Sequence, residues 1–131
     1  MKLLWYVAIG AAACGVARYL GTVLVQDRAG AGFPAATLLI NITGSLLLGF
    51  IVQYATDTPS VSPEVRLMLT TSFCGGYTTF STFSWETVRL LQDGEYSRAA
   101  SYVFLSVLLS VGGVFAGFAA ARRLIHMRRG V

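Results

Sequence analysis

The side chains with the clearest potential for chemistry form one run in the middle of the chain, where hydroxyl groups and aromatic rings are interleaved. Residues 70–84 read TTSFCGGYTTFSTFS. Hydroxyl groups can donate hydrogen bonds, and the edges of aromatic rings carry partial positive charge. The ring edges can therefore contact an anion without holding it as tightly as an arginine would.

Two adjacent glycines, Gly75 and Gly76, lie inside this run. Each weakens a helix by about 1 kcal/mol relative to alanine, and nearby hydroxyls can bond the backbone groups that a break releases. We therefore expect a broken helix, in which the carbonyls ending one half and the amides starting the other point at one site. The alternative is an unbroken helix with a packing face rich in serine and threonine.

The second half of the run has a defined helical face. Phe80 and Phe83 are three residues apart, and Ser84 lies one turn from Phe80, so these three share a face. Ser81 and Thr82 point elsewhere. Phenylalanines are usually core or lipid-facing residues. Here they are interleaved with hydroxyls, which favours a role in lining a pathway.

Two other segments carry polar side chains at every fourth position, which places them on one face of a helix. A buried asparagine in lipid is costly unless it is paired, and its ordinary role is to hold helices together. Three converging polar stripes instead predict a polar pathway through a helical bundle. The two further stripes comprise Thr37, Asn41 and Ser45, and Tyr102, Ser106 and Ser110.

Two charged residues, Arg18 and Glu86, lie close to membrane depth. One interpretation is that they reach the membrane interface or pair with each other. The other is that they shape the electrostatic potential of a vestibule. The sequence leaves both open, together with proton coupling through Glu86.

The elements that position these residues belong to a chain with the composition of a membrane protein. It has 131 residues, of which 55% are hydrophobic and 12% are charged. Soluble domains carry about a quarter charged residues, and so small a globule could not bury this much apolar surface. We expect one all-α domain over residues 1–131 with four transmembrane helices. Their approximate bounds are residues 3–25, 33–56, 65–91 and 97–124, with the third broken.

The net charge of +4 favours a membrane surface over nucleic acid, because four of the ten basic residues lie in one C-terminal tail. Arginines beside a span commonly contact anionic headgroups. An even number of spans places both termini on one side of the membrane, with six basic residues against four on the other. This asymmetry is weak and leaves both orientations open. The tail residues are Arg122, Arg123, Arg128 and Arg129.

The fourth helix also carries a pair of small residues, Gly113 and Gly117, with the small-xxx-small spacing. This spacing predicts the close approach of another helix. It fits an oligomer, because four short helices enclose little room for a pore.

These motifs resemble those of the Fluc/CrcB fluoride channel family. The match with residues 75–84, followed by Glu86, is highly specific. Residues 15–19, GVARY, resemble the first-helix motif of the family. Residues 37–41, TLLIN, resemble its second-helix motif, although Ala36 stands where the family usually has glycine. Length and layout match over nearly the whole chain.

The resemblance implies a passive channel that exports cytoplasmic fluoride across the bacterial inner membrane and confers fluoride resistance. It implies a dual-topology, antiparallel homodimer with two pores, surrounded by lipid and without a nucleic-acid partner. It also implies a central structural sodium ion, Na⁺, held by the backbone carbonyls of Gly75 and Thr78 of both subunits. Carbonyl oxygens suit such a hard cation.

The resemblance assigns roles to individual residues as well. It places Arg18 near the vestibule and Glu86 at the acidic position of the family. It implies pore-lining or fluoride-binding roles for Asn41, Phe80, Phe83, Tyr102, Ser106, Ser110, Ser81, Thr82, Ser84 and Thr37.

Three rival functions differ in what they require. A proton-coupled transporter similar to the small multidrug resistance group would need an acidic residue deep in the first helix, and only Glu86 is available, at the end of the third. A non-transporting assembly subunit would rarely carry such costly intramembrane polar groups. An enzyme is disfavoured because no nucleophile, base and orienting group occur together.

Overall fold

The computed structural model describes residues 2–29, 32–59 and 61–130, and the protein is all-helical over these residues. The elements are α1 (Lys2–Ala29), α2 (Ala35–Asp57), α3 (Pro63–Leu67), a π-helix (Met68–Cys74), α4 (Gly75–Tyr77), α5 (Phe80–Gln92) and α6 (Tyr96–Arg129). Each predicted helix end lies within five residues of an observed one.

Three of these helices, α1, α2 and α6, are long and apolar enough to cross a membrane. Spanning the hydrocarbon layer takes about 20 residues. The third predicted segment has a different form, because it consists of two shorter helical pieces. The first piece is continuous over residues 63–77 and the second is α5. The fold is that of a multi-pass membrane protein.

Local sequence explains where the first of these pieces begins. Ser62 caps it, since its hydroxyl oxygen accepts the Val65 N–H at 3.3 Å. Pro63 occupies the first helical position, where a missing N–H costs nothing. At the far end of the chain, α6 ends at Gly130, whose φ of +70° is a left-handed conformation that glycine adopts without strain.

The glycines of α6 pack against α2 of the same chain. A methyl group at Gly117 would overlap the carbonyl oxygen of Leu46, and one at Gly49 would overlap that of Val114. Gly113 also faces the α2 backbone. The predicted close approach is confirmed, but the partner helix is α2, so this spacing is not evidence for an oligomer.

Helix α1 runs alongside residues 63–77 in the same direction. Gly10 lies against the Met68 carbonyl, where an added methyl group would come within 2.9 Å of the oxygen. Further along, the Cys14 sulfur lies against Gly76. The first turns of α1 and of α3 are therefore at the same end of the molecule.

The break in the third segment lies at Thr78 and Thr79, not at the glycines. Gly75 has helical dihedrals, φ −65° and ψ −32°, whereas Thr78 (ψ 154°) and Thr79 (φ −145°, ψ 113°) are extended. The prediction of a break is confirmed; the two glycines remain helical, and the extended residues follow directly after Tyr77. Gly76 is needed for the close contact with Cys14 rather than for the break.

Candidate functional site

Helix α2 brings Asn41 to the break, where its side chain replaces the missing helical hydrogen bonds. The Thr79 N–H donates to Asn41 Oδ1 at 2.8 Å, and Asn41 Nδ2 donates to the Thr79 carbonyl at 3.3 Å. An extended residue in a membrane leaves its amide and carbonyl without helical partners, which is costly. The Asn41 amide satisfies both groups and so makes the break possible.

The side chain of Thr79 begins the second half-helix. Its hydroxyl oxygen accepts the Thr82 N–H at 3.2 Å, which is the N-cap bond of α5. It also contacts the hydroxyls of Thr82 at 3.0 Å and Ser81 at 3.3 Å. No role for Thr79 was predicted from the sequence. A threonine directly before a helical run is an N-cap signal that could have identified it.

A cavity of about 360 Å³ opens beside the break, and we call it the phenylalanine groove. It brings together residues of all three predicted polar stripes, as the sequence analysis expected. The ring centroids of Phe80 and Phe83 are 5.5 Å apart, so the predicted shared face is confirmed. The groove residues with aromatic or polar side chains include Asn41, Ser45, Phe80, Phe83, Ser106 and Ser110.

One side chain of the phenylalanine groove is buried without a hydrogen-bond partner. Ser106 is 7% exposed, and its hydroxyl has no partner among the described residues. A buried unpaired hydroxyl costs about 1–3 kcal/mol. Because Ser106 lines the groove, an occupant of the groove could receive this hydrogen bond.

A second cavity, of about 430 Å³, lies on another side of the break, and we call it the arginine cavity. Its lining is more polar than that of the phenylalanine groove. Thr79 reaches both cavities. The other polar residues of the arginine cavity include Arg18, Tyr19, Thr22, Gln26, Thr37, Ser81, Thr82 and Glu86.

Glu86 joins helices α2 and α6 through its two carboxylate oxygens. The Thr37 hydroxyl donates to Oε1 at 2.9 Å, and the Tyr102 hydroxyl donates to Oε2 at 2.7 Å. Tyr102 is fully buried and its ring lies 5.2 Å from that of Phe83. Arg18 lines the same cavity as Glu86, but the hydrogen bonds of this carboxylate go to the two hydroxyls.

Two predicted lining residues therefore lie outside both cavities. Ser84 donates to the Phe80 carbonyl at 2.8 Å, within its own helix. Tyr102 is held behind Phe83 as the partner of Glu86. Ser45, which the sequence placed in a stripe, lines the phenylalanine groove next to Asn41.

The carbonyls proposed as cation ligands lie at the end of the first half-helix. In a continuous helix the Thr79 N–H would bond the Gly75 carbonyl, but here it donates to Asn41. Gly75 is exposed. The described residues contain no cluster of three or more histidine, cysteine or acidic side chains that could hold a metal. The Thr78 hydroxyl contacts the Gly75 carbonyl oxygen at 3.5 Å.

The fold and the site together define a class: a multi-pass helical membrane protein with a break stabilised inside the bundle and polar cavities on both sides of it. The chain belongs to the CrcB-like family (CrcB-like protein, camphor resistance), whose model matches residues 5–118.

Sequence similarity to individual proteins supports this membership and extends over most of their length. The chain is 50% identical over 115 residues to the fluoride-specific ion channel FluC of Geobacter sulfurreducens, covering 88% of the chain and 92% of that protein. It is 46% identical over 122 residues to the protein of the same name from Chlorobaculum tepidum, covering 93% and 96%. With that of Rhizobium meliloti the identity is 41% over 125 residues, covering 95% and 100%. The shared name is that of an ion channel, not of an enzyme.

Proposed function

We propose that this protein is a fluoride-selective passive channel that exports cytoplasmic fluoride and confers fluoride resistance in the bacterial inner membrane. The observation that carries the proposal is the unpartnered Ser106 hydroxyl in a groove that also holds two phenylalanine rings. The relatives named as fluoride-specific ion channels support the choice of ion.

The groove offers weak contacts of several kinds along its length. Fluoride is small and strongly hydrated, so a pore must replace its water with directed donors. The hydroxyls of Ser106 and Ser110 and the amide of Asn41 can donate. The ring edges of Phe80 and Phe83 add weak positive potential. Since no groove residue carries a full positive charge, each contact is weak enough to permit onward movement.

The arginine cavity is suited to collecting anions before they enter the groove. Arg18 supplies its positive charge, and the hydroxyls of Ser81 and Thr82 supply donors. The hydroxyls of Thr37 and Tyr102 hold the Glu86 carboxyl group at a defined position. An ion would pass from this cavity to the groove near Thr79.

A second copy of the chain would complete the pore. Phe80 is 79% exposed in a single chain, and the phenylalanine groove is open along one side. In a single chain the polar groups of the groove would face lipid, which offers them no hydrogen bonds. A conduction path therefore needs a second surface that covers the groove. An antiparallel, dual-topology homodimer with four transmembrane segments per subunit would close two such grooves and form two pores.

A structural sodium ion at the centre of the dimer would use the carbonyls of Gly75 and Thr78 of each subunit. Gly75 is exposed, the Thr79 N–H is used by Asn41, and the Gly75 carbonyl has a long contact of 3.5 Å with the Thr78 hydroxyl, which a cation could replace. The positive charge of the cation would offset the mutual repulsion of the clustered carbonyl oxygens, which carry partial negative charge. A raised thermal unfolding temperature in sodium, compared with N-methylglucamine, would support the assignment, and equal temperatures would contradict it.

The rival transport mechanism requires a carboxylate that gains and loses its proton during each cycle. Both oxygens of Glu86 already accept hydrogen bonds from hydroxyls, which disfavours such a switch. A purely structural assembly subunit would have no use for an unpaired hydroxyl in an open groove.

The deciding experiment is fluoride efflux from liposomes that contain the purified protein. Potassium leaves through an added ionophore, no proton gradient is imposed, and chloride-loaded vesicles serve as the control. Fast fluoride loss without chloride loss would support the proposal. Absence of fluoride flux from dimeric protein would reject it, and flux that depends on a proton gradient would favour the coupled transporter.

A further inference from the structure

The tertiary structure concentrates the net charge of the protein at one end. Because α1 and α3 begin at the same end and α6 finishes beside the end of α2, five exposed basic side chains are gathered there. We call this set the basic end. It comprises Lys2, Arg66, Arg122, Arg123 and Arg128.

The acidic residues do not share this distribution. The basic end contains two acidic residues, Asp57 and Glu64. In the sequence, Arg129 is a sixth basic residue at this end; its side chain lies outside the described part. The opposite end has three arginines and three acidic residues, so its charges sum to zero. Arg18 and Glu86 lie between the two ends, and their charges also sum to zero. The whole net charge of +4 therefore belongs to the basic end. The balanced residues of the opposite end are Arg28, Arg89, Arg98, Asp27, Asp93 and Glu95.

The arginines of α6 are held in place by the packing of their own helix. Ala121 and Ile125 are buried, and Arg128 Nη1 donates to the Tyr54 hydroxyl of α2 at 2.9 Å. The last turns of α6 are thus fixed against α2, while Arg122 and Arg123 face outward.

The position of these arginines along α6 corresponds to the level of lipid headgroups. Residues 99–121 contain no charged side chain, and about 20 residues cross the hydrocarbon layer. With 34 residues, α6 is about 50 Å long and must extend beyond a hydrocarbon layer of about 30 Å. Arg122 is the first charge after the apolar segment, where a phosphate group of the bilayer is within reach.

We propose that the basic end is a binding surface for the headgroups of anionic phospholipids, with Arg122 and Arg123 as its main phosphate contacts. Exposed guanidinium groups next to an apolar span attract negatively charged lipid, and each such residue contributes to the attraction. The surface is independent of the groove and of whatever ion the groove conducts.

The test uses the purified full-length protein in a non-ionic detergent. The unfolding temperature is followed while dioctanoyl-phosphatidylglycerol, dioctanoyl-phosphatidylcholine or inorganic phosphate is added. The test variant is Arg122→Gln/Arg123→Gln, which leaves the buried contacts of Ala121 and Ile125 unchanged. The matched control is Arg28→Gln/Arg98→Gln, which removes two exposed arginines from the opposite end.

We expect phosphatidylglycerol to raise the unfolding temperature at concentrations where phosphatidylcholine and phosphate do not. The test variant should need about tenfold more phosphatidylglycerol for the same rise, whereas the control should respond as the unchanged protein does. High salt should weaken the effect. Equal responses to both lipids, an equal response to phosphate, or equal losses in the two variants would each overturn the proposal.

Discussion

The side chain of Asn41 accepts the N–H of Thr79 at 2.8 Å and donates to the carbonyl of the same residue at 3.3 Å. One side-chain amide thus takes the place of a turn of helix at a point where the backbone is extended. The same side chain lines the phenylalanine groove. The break and the groove therefore depend on one residue, and substitutions there should affect both.

Asn41→Asp should lower fluoride flux by at least about tenfold. The aspartate keeps an acceptor for the Thr79 N–H, but it loses the donor and places a negative charge beside the path of an anion, where even about 1.4 kcal/mol of repulsion gives this factor. Liposome efflux measures the change, and dimer assembly should persist in size-exclusion chromatography. Thr43→Val is the control, because that hydroxyl bonds the Leu39 carbonyl on an exposed face of α2. Loss of assembly with Asn41→Asp would instead indicate a structural role.

Phe80→Ile should reduce flux strongly and change the stability of the subunit little. The ring is 79% exposed in the single chain, so its replacement removes few contacts within the fold, and surface changes usually stay within about 0.5 kcal/mol. Phe115→Ile is the matched control, since Phe115 is 67% exposed on α6 and lies outside the groove. Flux and thermal unfolding should be measured together. Equal flux in both variants would exclude a conducting role for Phe80.

Ser106→Ala should separate conduction from stability. Its hydroxyl is buried and unpartnered, so removing it should leave the free energy of unfolding unchanged or raise it by up to about 1 kcal/mol. Fluoride efflux should nevertheless fall, because the groove loses a donor. Ser72 provides a close control: its hydroxyl is also buried and has no partner within the described part of the chain, but it does not line the groove. If Ser72→Ala lowers flux as much as Ser106→Ala, the groove hydroxyl has no special role.

Gly117→Ala should destabilise the subunit by about 1–3 kcal/mol or more. The added methyl group would overlap the Leu46 carbonyl and force α2 and α6 apart, and overpacking commonly costs about 1–3 kcal/mol or more. Gly112→Ala is the control, because open space surrounds that position and alanine there should stabilise the helix by about 0.5–1 kcal/mol. Thermal unfolding in detergent distinguishes the two. A normal unfolding temperature for Gly117→Ala would contradict the packing of these helices.

Much of this protein follows from local sequence. The membrane character depends on composition and on the length of apolar segments, both of which are visible without a fold. The convergence of Asn41, Phe83 and Ser106 on one groove was predictable, because a four-residue spacing fixes a helical face and short loops force sequential helices to pack together. That the third segment breaks was also predictable from its composition, although the two glycines that contributed to the prediction stay helical.

Only the tertiary structure decided where that segment breaks and what each polar group does there. Thr78 and Thr79 become extended because Asn41, 38 residues from Thr79 in the chain, supplies the lost hydrogen bonds. In the same way Thr37 reaches Glu86 across 49 residues and Tyr102 reaches it from α6. The α6 glycines pack against α2 of the same chain. These features depend on contacts between distant segments, and the spacing of residues within one helix carries no information about which partner will satisfy them.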